Sequence, residues 1–200
     1  SSHITVKGED NFLKIIASKK PVIFVSGHFA NFELMSMEIT KKKVQLATIY
    51  RPLNNYFLNP FMEYLRKKYV CENQIKKGIN GVRDVIEFLK KNYSIALMID
   101  QRVSEGDKIN FFGQEALTTT LPAQLAKKFD LDIIPVFIKR TFDNNFIIEF
   151  YKPINNKNYA NKIELSEELN RILEEMIVRN PSQWIWTHNR WKQFFYFFMF

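Results

Sequence analysis

Apolar positions along this chain switch repeatedly between two periods, and that switching predicts the elements. Pro21-Val22-Ile23-Phe24-Val25, bounded by Lys19-Lys20 and Ser26-Gly27, reads as a short buried strand over 21–26. A helix over 31–42 follows, then a strand over 44–50 and a helix near 57–69. Val82, Val85, Ile86 and Leu89 recur at helical spacing and predict a helix over 81–92, with Asn80 as its cap. Ser94-Ile95-Ala96-Leu97-Met98-Ile99 reads as the next strand, and 101–117 as a polar loop. Thr118-Thr119-Thr120 opens a helix to Phe129. Strands 133–140 and 145–152 form a hairpin around Asp143-Asn144-Asn145, and an amphipathic helix over 164–179 stops before Pro181.

Strands that alternate with helices predict an α/β fold with a mostly parallel central sheet flanked by helices. No internal repeat, low-complexity linker or composition break divides residues 1–200, so a single domain is expected. His28, Tyr50-Arg51 and Asp100-Gln101 each fall at the C-terminal end of a predicted strand. That edge of an open α/β sheet is where ligands bind, so residues far apart in sequence are expected on one rim.

The chemistry concentrates in Ser26-Gly27-His28-Phe29-Ala30-Asn31-Phe32-Glu33. On a continuous helix, positions five apart point about 140° away from each other. His28 and Glu33 therefore meet only if His28 lies in the bend and Glu33 points back. A neutral imidazole takes a proton from a hydroxyl attacking a carbonyl, and a carboxylate beside it fixes its tautomer. The competing structural reading is a capping histidine and a glutamate that favours the positive end of a helix. Arg51 suits two-pronged binding of phosphate.

Gly27-His28-Phe29-Ala30-Asn31-Phe32-Glu33 resembles the Gly-His-x-x-Asn-Trp/Phe-Glu block of the bacterial lipid A biosynthesis acyltransferases of the lauroyl/myristoyl type, relatives of the His-x-x-x-x-Asp glycerolipid acyltransferases. Tyr50-Arg51-Pro52, Asp100-Gln101, Phe111-Phe112-Gly113 and the run Pro181 to Lys192, with Trp184, Trp186, His188, Arg190 and Trp191, resemble the family's later blocks in the same order. The resemblance implies a glycerolipid-acyltransferase-like fold and transfer of a fatty acyl chain from acyl-carrier protein to a hydroxyl of a lipid A precursor. It implies His28 as general base, Glu33 as its orienting partner and Arg51 as the contact to the phosphorylated acceptor. Asp100 and Gln101 either line the acceptor site or orient Arg51, with a plain loop start as the alternative for Asp100; Asn31 either caps the helix or contacts substrate, and Arg102 is a further candidate phosphate contact. The donor thioester supplies the activation, so no cofactor is expected. The expected partners are acyl-carrier protein, a phosphorylated glycolipid and an anionic membrane. The expected location is the cytoplasmic face of the bacterial inner membrane, through an upstream anchor or peripherally. Another glycolipid or a lysophospholipid as acceptor, acyl-CoA as donor, and a non-catalytic lipid-binding domain are the alternatives.

Composition narrows the picture. The net charge of +8 suits nucleic acid, anionic headgroups or acidic partners alike, but no nucleic-acid module accompanies it. Many lysines close predicted helices, where cations complement the helix dipole. Three separated histidines and one cysteine give no zinc spacing, so no metal is expected. No Gly-x-Ser-x-Gly elbow occurs, which argues against an acyl-serine intermediate. The single Cys71 excludes an internal disulfide. His188 sits among tryptophans and reads as a packed residue. The tail Phe194 to Phe200 is too short to span a bilayer.

Overall fold

The computed structural model describes residues 3–191. The aromatic tail and Lys192 lie outside them. The strands are β1 (Ile4–Lys7), β2 (Ile23–Ser26), β3 (Leu46–Tyr50), β4 (Asn73–Lys76), β5 (Ser94–Met98), β6 (Asp107–Phe111), β7 (Gln114–Thr118), β8 (Asp132–Arg140), β9 (Phe146–Phe150) and β10 (Ile154–Asn155). The helices are α1 (Asp10–Ala17), α2 (Glu33–Lys41), α3 (Leu58–Tyr69), α4 (Ile79–Lys90), α5 (Leu121–Phe129) and α6 (Lys162–Arg179).

The main sheet runs β1-β9-β8-β2-β5-β3-β4, with β10 pairing β8. Every pairing on that path is parallel except β8 with β9, and β10 is also antiparallel. The fold is therefore the expected α/β architecture. The middle strands read as near-continuous apolar runs because both their faces are covered: every residue of β2 is buried, as is all of β5 but its last. Helix α5 packs on β2 and β8, α6 packs on α5, β6 and β8, and α4 packs on β3, β4 and β5. Phe12 alone of α1 is buried; its ring meets Phe24 and Phe150 edge-on or tilted. The basic last turns are as expected: Arg66, Lys67 and Lys68 in α3, Lys90 in α4, Lys127 and Lys128 in α5.

Several elements differ from expectation. The region 101–117 is a loop only as far as 106: β6 and β7 beyond it form a separate two-stranded hairpin. Its turn is Phe112-Gly113, both at positive φ (52° and 75°), the backbone that a tight two-residue hairpin requires. Phe111-Phe112-Gly113 thus serves as a turn with an apolar anchor, Phe111, fully buried against Trp191. Asn80 does not cap α4, whose N-cap is Gly78 at φ 142°. Elements β1, α1 and β4 had no sequence prediction; β1 and β4 are edge strands only partly buried, so their apolar pattern is faint. Among the described residues no helix is long and apolar enough to cross a membrane.

Candidate active site

Parallel register builds the site. Ser26 of β2 pairs with Met98 of β5, and the Ile99 N–H donates to the Ser26 carbonyl at 2.9 Å. Two residues beyond each partner lie His28 and Asp100, so the sheet itself sets them side by side. The Asp100 carboxylate accepts from the His28 backbone N–H at 2.7 Å, from His28 Nδ1 at 2.7 Å and from the Trp184 indole N–H at 2.9 Å. Asp100 is 3% exposed. Burial alone would raise its pKa; the hydrogen bonds and charge of His28, with the Trp184 N–H, outweigh burial and hold it below the ordinary carboxylate value. An ionised carboxylate only accepts, so Nδ1 carries the proton and Nε2 keeps a basic lone pair on the other side of the ring.

The bend carrying His28 is fixed from three directions. Its start needs glycine: a Cβ on Gly27 would lie 2.8 Å from the Phe29 ring and 2.9 Å from Leu173. Ala30 turns the chain at φ 43°, a region that costs a non-glycine residue about 1 kcal/mol or more and survives only when neighbours impose it. They do: the Ala30 N–H donates to the Gln183 carbonyl at 2.9 Å, and the Ile185 N–H donates to the His28 carbonyl at 3.1 Å. The Trp-rich stretch thus pairs with the bend as a short strand would. The Phe32 ring meets His28 edge-on with centroids 4.6 Å apart.

Glu33 does not reach His28. It opens α2 as expected, but its Oε1 accepts from Arg66 Nε on α3 at 2.6 Å, a half-buried ion pair. The carboxylate on the imidazole is Asp100, expected instead as a substrate contact. The physical reason is register: Asp100 is delivered by the neighbouring strand, while Glu33 is held by Arg66 of α3.

His28, Glu33, Arg51, Arg66, Gln101 and His188 share the wall of a cavity of about 450 Å³. Met35, Ile49, Ala96 and Met98 give it apolar stretches. Arg51 stands one residue past β3 and is exposed to the cavity mouth; Lys77, whose N–H donates to the Tyr50 carbonyl at 2.8 Å, stands beside it. Loss of surrounding water, then the neighbouring Arg51 charge, lowers the Lys77 pKa, as expected for two cations sharing a rim. Asn31 is exposed, neither caps α2 nor lines the cavity. Arg102 also stands outside the cavity wall; its backbone N–H donates to His188 Nε2 at 2.9 Å. His188 is therefore a hydrogen-bonded residue, its pKa lowered chiefly by burial.

Behind the site sits Arg190, with no solvent exposure. Its guanidinium donates to the carbonyls of Gln101 (3.0 Å) and Leu117 (2.9 Å) and to the Thr118 hydroxyl (2.9 Å), and lies over the Phe111 ring. Burial lowers its pKa to about 10, still far above neutrality, so it stays a cation. Sequence reasoning did not single out Arg66, Lys77, Trp184 or Arg190 individually. Trp184 and Arg190 fell within the Trp-rich block; the sequence marked Arg66 only as part of a basic helix end and Lys77 only as one of a basic pair.

Comparison with known proteins identifies the family and the fold. The family model described as bacterial lipid A biosynthesis acyltransferase matches residues 1–193. A lipid A biosynthesis palmitoleoyltransferase of Escherichia coli (strain K12) is 26% identical over 191 residues, covering 94% of this chain and 61% of that protein. A lipid A biosynthesis acyltransferase of Shigella flexneri matches to the same extent. The chain thus spans about 61% of the length of these relatives. The crystal structure of the 1-acyl-sn-glycerophosphate (LPA) acyltransferase PlsC from Thermotoga maritima shares the fold, with a TM-score of 0.58 at 17% identity, over 92% of this chain and 74% of that one. On the match across residues 1–193, this chain belongs to the bacterial lipid A biosynthesis acyltransferase family.

Proposed function

We propose that this domain transfers a fatty acyl group from a thioester donor, acyl-carrier protein, to a hydroxyl of a phosphorylated lipid A precursor, at the cytoplasmic face of the inner membrane. The observation that carries the reading is the His28–Asp100 contact at the wall of a cavity whose mouth bears Arg51 and Lys77. His28 Nε2 removes the proton from the acceptor hydroxyl as its oxygen attacks the thioester carbonyl. The carbon–sulfur bond then breaks, and the leaving thiolate takes the proton from the imidazolium. Asp100 holds the tautomer and steadies the imidazolium charge. Direct transfer needs no covalent enzyme intermediate, and buried Cys71, its pKa raised by burial, is no nucleophile.

Arg51 and Lys77 place cations where a phosphate of the acceptor would lie, Arg51 with the geometry for two parallel hydrogen bonds. Gln101 contributes a polar group to the same wall. Glu33, fixed by Arg66, shapes the cavity beside α2 and positions the acceptor rather than the imidazole. Mixing the chain with acyl-loaded carrier protein and a tetra-acylated lipid A precursor tests the reading by mass spectrometry. A gain of one acyl group with the native chain and none with His28→Ala is expected. Transfer to a lysophospholipid in place of the glycolipid, or equal transfer by His28→Ala, would overturn it.

A further inference from the structure

Helix α3 is mounted inside out. Asn59, Glu63 and Arg66 follow at helical spacing and face the domain: Glu63 accepts from the Tyr50 hydroxyl at 2.7 Å and from the Asn59 amide at 2.8 Å, while Arg66 pairs with Glu33. Phe57, Phe61, Tyr64 and Lys68 form a second stripe, about 160° around the helix from the first. No residue of α3 is buried. Phe57 is 92% exposed and the preceding Tyr56 91%, and Leu58, Phe61, Tyr64 and Tyr69 are each more than half exposed. A helix of a soluble surface normally turns its apolar stripe inward and its charges outward. Here the ion pairs point in, and an aromatic face of contiguous exposed residues points out.

The geometry points to this face as the site where the domain lies on an anionic lipid bilayer. The charges favour that occupant. From Arg51 to Met62 the chain has no acidic residue, and the first one, Glu63, is turned inward. The stripe ends in exposed Lys67 and Lys68, and the Lys68 ammonium lies 5.5 Å from the Tyr64 ring and 5.2 Å from the Tyr69 ring. Aromatic rings beside lysines match the headgroup boundary, where rings sit among the glycerol groups and cations meet lipid phosphates. The face is also continuous with the site: Leu53 and Asn54 lead from Arg51 toward it, and Arg66 on its inner side belongs to the cavity wall. A lipid acceptor held in the bilayer would meet Arg51 without leaving the interface. This rests on the acyl-transfer reading for why a lipid must reach the cavity, but the bilayer contact itself is measured without turnover.

The test is co-sedimentation of the chain with vesicles of phosphatidylcholine alone and of phosphatidylcholine mixed with phosphatidylglycerol. The native chain should sediment with the mixed vesicles, and less so as salt is raised. The double substitution Phe57→Ser/Phe61→Ser should lower that partition about ten-fold or more. Circular dichroism should be unchanged, because both rings are exposed. Lys67→Glu/Lys68→Glu should abolish the preference for phosphatidylglycerol. Equal vesicle binding by native and Phe57→Ser/Phe61→Ser chains would overturn the inference, as would failure of the native chain to bind. Self-association in the absence of lipid that the serine substitutions abolish would also overturn it, by assigning the face to a second copy. Vesicle binding without acyl transfer would refute the proposed activity and leave this surface standing.

Discussion

Asp100→Asn separates fold from chemistry at this site. The carboxylate serves three donors, the His28 backbone N–H and the Trp184 N–H on Oδ2 and His28 Nδ1 on Oδ1. An asparagine of the same shape can keep its oxygen where Oδ2 lies, so the first two bonds survive. Its amide nitrogen then faces His28 Nδ1 and can only donate. The imidazole answers by moving its proton to Nε2, and only the second N–H of the asparagine amide is left without an acceptor, so the stability loss should stay at about 1–3 kcal/mol. The base is lost, however, because Nε2 now holds the proton it should accept. The equivalent tautomer error in a serine-protease triad lowers kcat about 10⁴-fold, so a loss on the order of 10³–10⁴-fold is expected here. That corresponds to about 4–5 kcal/mol of barrier at about 1.36 kcal/mol per ten-fold. Asp100→Ala instead strands three donors at about 1–3 kcal/mol each, and should unfold the site as well as silence it. The assay is kcat for acyl transfer beside thermal denaturation of the same preparations. An Asp100→Asn chain that retains kcat within about ten-fold of native would refute the reasoning. So would Glu33→Gln proving the more damaging of the two, which would return the orienting role to Glu33.

Three further outcomes follow from the same geometry. Replacing Arg51 by Ala should raise KM for the phosphorylated acceptor more than it lowers kcat, by about ten-fold or more if a charged hydrogen bond of about 1.5–3 kcal/mol is lost; an acceptor lacking phosphate should show no difference between the two chains. Gly27→Ala forces a methyl group against Phe29 and Leu173, so a loss of about 1–3 kcal/mol in denaturant unfolding is expected, with kcat falling as the His28 bend shifts. Because the folded pKa of Asp100 lies below its unfolded value, its stabilisation is complete above the ordinary carboxylate pKa and is lost as pH falls through the lower folded one. Tm plotted against pH should therefore fall less steeply on its acid side for Asp100→Asn than for the native chain.

The strands at the sheet centre were legible because burial on both faces leaves long apolar runs, as in Ile23–Ser26 and Ser94–Met98. Helix α6 was legible from its period, and its start is set by Asn161, which accepts from the Ile163 and Glu164 N–H groups. The hairpin β6–β7 was not. Its strands hide only alternate residues, and part of its anchoring is polar, the Asn170 amide donating to the Asn110 carbonyl at 2.8 Å. The rim was legible as a place: strand ends and a Gly-His sequence converge there. Its pairing was not, since His28 and Asp100 are 72 positions apart and only strand order brings them together. A His-x-x-x-x-Glu spacing suggested a local partner, whereas the sheet supplied a distant one. Arg66 was hidden for the same reason: a basic last turn reads as dipole complement until a helix from elsewhere presents a carboxylate to it.

The stretch that holds the His28 bend lies near the end of the described chain, at Gln183 to Ile185, with Arg190 locking the loop after Asp100 from behind. A ribosome releases those residues more than 150 positions after His28 has emerged. The sheet's β2, β5 and β8 can pair before then, but the strained turn at Ala30 has nothing to impose it and Asp100 lacks its indole donor. Order at the bend thus waits on residues made long after it: a nascent chain carries most of the sheet before His28 is held for its proposed role. A protease cut just ahead of Gln183 would return the domain to that unarmed condition while sparing most of its core.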